Sequence, residues 1–180
     1  MKLVLIRHTS VAVARGVCYG HTDVDLSPTF VEEASIVRDK LKNYRFDKIY
    51  SSPLTRCRKL AEYCGYEEFE IDPRIIEMNF GEWEMKKFDE ISDPRLQEWY
   101  EDYINVAATG GESVIDQQTR LLEFIEDLKQ RHPNKSTIGI FTHGGIVINA
   151  LVRFGGKRFE ELYGAIPDYG SITEIEITKS

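Results

Sequence analysis

Leu3-Val4-Leu5-Ile6 is an apolar run without polar alternation, and it stops abruptly at Arg7-His8-Thr9. Such a run suits a strand buried on both faces, as in a parallel sheet. Ser27-Pro28 predicts a helix start, with proline in the first turn and acidic Glu32 and Glu33 near the positive end of the dipole. Phe30, Ala34, Val37 and Leu41 follow at i, i+4, i+7 and i+11, one helical stripe. Residues 47–50 predict a second strand, and Ser51-Ser52-Pro53 the cap of a helix running through Arg56 to about Tyr63.

The middle is less regular. A short strand is expected over 69–71 and one or two helices over 89–103, with Trp99 and Tyr103 at i, i+4. After the turn at Thr109–Ser113 comes the longest helix, about 113–131, with Val114, Leu121, Ile125 and Leu128 on one face. Residues 136–141 form a third buried strand, broken by Thr142-His143-Gly144-Gly145. A helix over about 145–153, a polar helix near 157–162 and a last strand over 171–178 complete the chain. Strands alternating with helices predict an α/β fold, a three-layer α/β/α sandwich with a mostly parallel central sheet. No repeat, low-complexity tract or linker divides residues 1–180, so one domain is expected.

Composition narrows the function. The net charge of −7 argues against broad nucleic-acid binding, which wants a basic face, but not against a small phosphate ester held by a few arginines. No apolar run approaches the roughly 18 residues of a membrane span, and residues 1–6 are too short for a secretory core. Cys18, Cys57 and Cys64 are sparse, odd in number and without metal spacing, which points to a reduced, cytoplasmic setting.

In parallel α/β sheets ligands bind beyond the carboxyl ends of the strands. That rule selects Arg7-His8, Ser51–Arg56 and Thr142–Gly145. Arginine offers a planar fork of donors that matches phosphate oxygens, and a histidine nitrogen can attack phosphorus while a second, if protonated, stabilises charge on the transferring group. Each piece alone is weak: Arg56 beside Arg58 and Lys59 reads as a solvated helix residue, and His-Gly-Gly as a tight turn. Their coincidence at three strand ends makes a phosphoryl site.

The motifs Leu5-Ile6-Arg7-His8, Ser51–Arg56, Glu77 ahead of Phe80-Gly81-Glu82-Trp83-Glu84, Gly110-Gly111-Glu112-Ser113 and Thr142–Gly145 resemble the histidine phosphatase superfamily, the phosphoglycerate mutase-like fold. The resemblance runs over essentially the whole chain. It implies that His8 is the nucleophile, that Arg7, Arg56 and His143 hold the phosphoryl oxygens, and that Glu77 is the general acid. An acid working near neutrality needs a raised pKa, expected here from burial against Phe80 and Trp83. Gly144, Ser10, Gly20 and His21 are further substrate-binding candidates. Within the superfamily, Gly16–Leu26, Trp99 with Asn105, and Asp168–Ser171 resemble the α-ribazole phosphatases, which implies α-ribazole 5′-phosphate as substrate; a cage of two arginines and two histidines suffices without a metal, and no cofactor is expected. A broad-specificity sugar or nucleotide phosphatase is the alternative, ahead of a phosphoglycerate mutase, a phosphoprotein phosphatase or a silent phospho-ligand binder. Three positions depart from the family: Thr9 and Met85 stand where glycine is usual, and Ala14 where asparagine is common, so that one phosphate contact is either missing or supplied by Ser10 or His21.

Overall fold

A computed structural model describes residues 1–163 and 165–178. Five strands form one sheet: β1 (Lys2–Arg7), β2 (Lys48–Ser51), β3 (Glu70–Ile71), β4 (Thr137–Thr142) and β5 (Ile172–Glu176). Their order is β3-β2-β4-β1-β5, parallel except that β5 runs antiparallel to β1 on the edge. The uninterrupted apolar strands are the central ones. Along β1, Leu3 and Leu5 face one helical layer and Val4 and Ile6 the other.

The first layer is α4 (Val114–Arg131) with α5 (Gly144–Phe154), whose Leu121, Phe124, Ile125, Leu128, Ile146 and Val147 pack on Leu3, Leu5, Tyr50 and Ile140. The second is α1 (Phe30–Leu41) with α2 (Thr55–Tyr63), whose Ala34, Val37, Leu41, Cys57 and Leu60 pack on Val4, Ile6, Ile49 and Phe141. This is the three-layer sandwich expected. A third, smaller core of Cys18, Trp83, Leu96 and Ala108, with Phe80, Phe88 and Trp99 against it, gathers the irregular stretches and α3 (Arg95–Glu101). The chain between α5 and β5 carries α6 (Phe159–Tyr163).

Element ends differ from expectation where a distant residue takes over a cap. Ser113 caps α4 in a reciprocal box with Asp116, as its sequence allows. The cap of α2 comes from afar instead: Asp23 accepts the Thr55 N–H at 2.9 Å and the Thr55 hydroxyl at 2.6 Å. Pro28 lies outside α1, in the turn closed by Phe30 N–H to the Ser27 carbonyl. Met85 stands at φ 63°, the non-glycine found at positive φ among the described residues, at a cost of about 1 kcal/mol. Its N–H donates to the Cys18 carbonyl at 2.7 Å, which pins it there. Thr9 has no such strain.

Candidate active site

Parallel register brings three strand ends to one level. Arg7 pairs with Thr142 across β1 and β4, and Ser51 with Phe141 across β2 and β4. The next residues, His8 and His143, therefore lie side by side, ring centroids 5.2 Å apart at 63°. Both are buried. The His8 Nδ1 is 2.7 Å from the Thr9 carbonyl. A carbonyl only accepts, so Nδ1 carries the proton and Nε2 keeps its lone pair. Burial first, and then the Arg56 and Arg7 charges, hold the His8 pKa well below its usual 6.5. His143 is lowered in the same way, by burial, Arg56 and His8. Both imidazoles are neutral at pH 7, so His143 carries no charge at rest. The His143 Nε2 hydrogen-bonds Ser52 Oγ at 2.7 Å.

Arg56 is fully buried. Its Nη1 donates to the Thr22 carbonyl at 2.9 Å and its Nη2 to the Gly20 carbonyl at 2.7 Å. Arg7 donates Nη1 to the Pro167 carbonyl at 2.5 Å and lies 4.1 Å over the Tyr169 ring. Each guanidinium leaves a buried Nε–H without a partner. A buried charged donor left unpaired is costly and wants an anion.

Arg7, His8, Glu77 and Gly144 line a cavity of about 290 Å³, and Arg56 and His143 sit beside them outside its wall. Glu77 is placed by main chain and by a buried polar chain. Its Oε1 accepts from Met78 N–H at 2.9 Å and Gln117 Nε2 at 3.0 Å, and its Oε2 from Gly145 N–H at 3.2 Å. Gln117 is in turn held by Asn149. Arg120 secures the same loop from behind, donating to the carbonyls of Arg74, Ile76 and Glu77 while paired with Glu112. The expected packing of Trp83 on Glu77 is not found: Trp83 lies in the third core and donates to Asp93. Among the described residues no three His, Cys, Asp or Glu side chains gather as a metal-binding group.

The family profile described as "Histidine phosphatase superfamily (branch 1)" matches residues 3–180. The chain belongs to that superfamily. It is accordingly a phosphatase, and its fold is phosphoglycerate mutase-like. It is 32% identical over 146 residues to phosphoserine phosphatase 1 of Hydrogenobacter thermophilus, covering 77% of this chain and 69% of the relative. It is 26% identical to adenosylcobalamin/alpha-ribazole phosphatase of Escherichia coli (strain K12), over 99% of this chain and 91% of the relative. The crystal structure of the alpha-ribazole phosphatase from Shigella flexneri superposes with a TM-score of 0.86 at 26% identity, covering 99% of this chain and 92% of that one.

Three expected binding residues of this phosphatase are placed elsewhere. The Ser10 hydroxyl donates to Glu33, which also takes the Ser10 N–H, so it is turned towards α1. Gly20 gives its carbonyl to Arg56 and its N–H to Glu84, and does not line the cavity. The His21 ring is directed to Glu112, Nε2 to Oε2 3.8 Å, so neither it nor Ser10 fills the place left by exposed Ala14. Other residues went unread. Tyr19 and Tyr169 share a hydrogen bond of 2.8 Å between hydroxyls and line the cavity beside His8. Gln117 had a signal: a polar residue at i+3 from Val114 and i−4 from Leu121, inside the apolar stripe of α4. Glu84 belongs to the Phe80–Glu84 motif, but nothing local shows that it serves the loop at Gly20–Thr22, and the carbonyls held by Arg120 lie 43 to 46 residues away.

Proposed function

We propose that this chain hydrolyses a phosphomonoester through a phosphohistidine on His8, with α-ribazole 5′-phosphate as substrate. The observation carrying the chemistry is the fixed His8 tautomer: Nδ1–H is spent on Thr9, and the Nε2 lone pair stands in a site where two arginines keep unpaired Nε–H donors. Nε2 attacks phosphorus as the bond to the leaving oxygen breaks, and Glu77 gives that oxygen its proton. Water then attacks the phosphohistidine, losing a proton to the Glu77 carboxylate. The P–N bond breaks, and neutral His8 and inorganic phosphate are restored. Arg7, Arg56, His143 and the N-terminus of α5 at Gly144 meet the phosphoryl oxygens, and the phosphate dianion brings the negative charge that favours protonating His143. The arginines supply the positive charge, so no metal takes part.

The leaving-group side supports the finer reading. Away from Arg7, His8 and Glu77 the cavity wall is largely apolar and aromatic, with Val17, Phe80, Phe88, Ile148 and Ile166 beside Tyr19, Tyr163 and Tyr169. A flat, apolar base attached to ribose suits that wall. Phosphoserine brings an ammonium and a carboxylate that would be desolvated there unpaired. The Tyr163 hydroxyl, buried without a partner, offers the base one donor. Two measurements test the proposal. Quenching without acid followed by mass spectrometry should find phosphate on His8, and His8→Ala should abolish label and turnover. In a kcat/KM panel, α-ribazole 5′-phosphate should exceed phosphoserine and simple sugar phosphates at least tenfold. Label on His143, or an active His8→Ala enzyme, overturns the mechanism; equal rates across the panel overturn the substrate.

A further inference from the structure

Glu84 lines no part of the cavity, yet it is the most heavily bonded carboxylate near it. Its Oε2 accepts the Gly20 N–H at 2.9 Å and the Thr22 hydroxyl at 2.8 Å. Its Oε1 accepts the His21 N–H at 2.8 Å and the Phe80 N–H at 3.2 Å. Gly20 and Thr22 are the same two residues whose carbonyls orient both terminal nitrogens of Arg56. The loop is thus gripped on its donor side by a carboxylate and on its acceptor side by a guanidinium. The two charges never meet directly. A direct ion pair would neutralise Arg56 against the phosphate; a relay through peptide dipoles fixes its direction and leaves its charge for the phosphoryl group. The Phe80 bond ties the segment bearing Glu77 to the same anchor. Close packing adds to the constraint, since a Cβ on Gly20 would collide with the Met78 carbonyl.

We infer that Glu84 is a positioning residue for phosphate recognition, acting through loop 20–22 on Arg56. This rests on the phosphatase reading above. All four partners of Glu84 are N–H or O–H donors, so an amide at this position must turn its NH₂ towards two of them. Glu84→Gln should therefore lower kcat/KM by about 10²-fold, and by the same factor on aryl and alkyl phosphates, because Arg56 holds the phosphoryl oxygens and not the leaving group. The inhibition constant for inorganic phosphate should rise at least tenfold. In an Arg56→Lys background, Glu84→Gln should cost less than threefold more, as expected when one residue acts through the other.

Phosphate affinity is also measured directly by titration calorimetry, with folding checked by near-ultraviolet circular dichroism. Wild type that binds phosphate but hydrolyses no phosphomonoester counts against the function and leaves the calorimetry to judge Glu84. A folded Glu84→Gln protein with unchanged phosphate affinity, or losses that multiply fully with Arg56→Lys, overturns the inference. Should Glu84→Gln fail to fold, Thr22→Val removes one of the four donors alone. A phosphate affinity weakened severalfold supports the relay, and an unchanged one overturns it.

Discussion

Glu77 holds its two oxygens in different company, Met78 N–H and Gln117 on one, Gly145 N–H on the other. That arrangement aims a carboxyl group into the cavity opposite the neutral His8. An alkoxide leaving from a ribose 5′ position is strongly basic, so protonating it contributes roughly 10²–10⁴-fold, whereas a nitrophenolate leaves nearly unaided. Glu77→Gln keeps size and shape but neither gives nor takes the proton. Its kcat/KM should fall far more on α-ribazole 5′-phosphate than on p-nitrophenyl phosphate, with a residual loss on the aryl ester from slower hydrolysis of the phosphohistidine. Rate constants for both substrates at several pH values decide this; equal losses in the phosphorylation step would remove Glu77 from the role. The neighbouring acids are poor replacements, since Glu84 is saturated by four donors and Glu82 is exposed.

Helix α5 acts as a unit, because its first turn touches both sides of the chemistry. Gly144 lies against the Arg7 guanidinium and Gly145 against Glu77 and Gln117, where an added Cβ would overlap Glu77 Oε1. Those neighbours are held in a buried polar chain, so Gly145→Ala should cost about 1–3 kcal/mol of stability while displacing Glu77. A loss of roughly tenfold or more on alkyl phosphates, and less on aryl phosphates, is expected from parallel assays. Loss equal on both classes would mean that the helix start serves only the phosphate. The same elements explain what the sequence discloses. Central strands buried on both faces read directly as apolar runs, and residues at their carboxyl ends follow from the rule for parallel sheets, which is why Arg7, His8, Arg56 and His143 are legible. The loops are not. Ser10 faces Glu33, Gly20 faces Glu84 and Tyr19 faces Tyr169, partners 23, 64 and 150 residues apart. Local pattern carries no information about such pairs, so which loop residues enter the cavity emerges only with the tertiary fold. Gly145 likewise reads as turn chemistry until the approach of Glu77 is seen.

At the scale of the molecule, the site costs stability on the acid side. His8 and His143 are buried next to two guanidinium groups, and their folded pKa values lie well below the 6.5 of the unfolded chain. Between those values the unfolded state binds protons that the folded state refuses, so stability rises with pH and falls on acidification, by up to about 1.4 kcal/mol per pH unit from each histidine. Carboxylates act lower down. Asp72 and Glu112 are depressed below their usual range, by Arg74 and Arg120 against the opposing effect of burial, and lose their contribution only as pH drops through those lowered values. The window from about pH 6.5 to 4.5 therefore reports the histidines, with half-buried His21 and more exposed His132, also lowered, adding a smaller part. Urea unfolding at pH 5, 6, 7 and 8 should show a steep loss below pH 6.5. In His8→Asn, which keeps an N–H for the Thr9 carbonyl, the slope should shrink by about the share of one histidine. Inorganic phosphate should stabilise the wild type by mass action, because it binds the folded arginines and not the unfolded chain. A stability that stays flat or increases on acidification through this window would mean that the two imidazoles accept protons in the folded state, and with that the neutral nucleophile would be lost from the account.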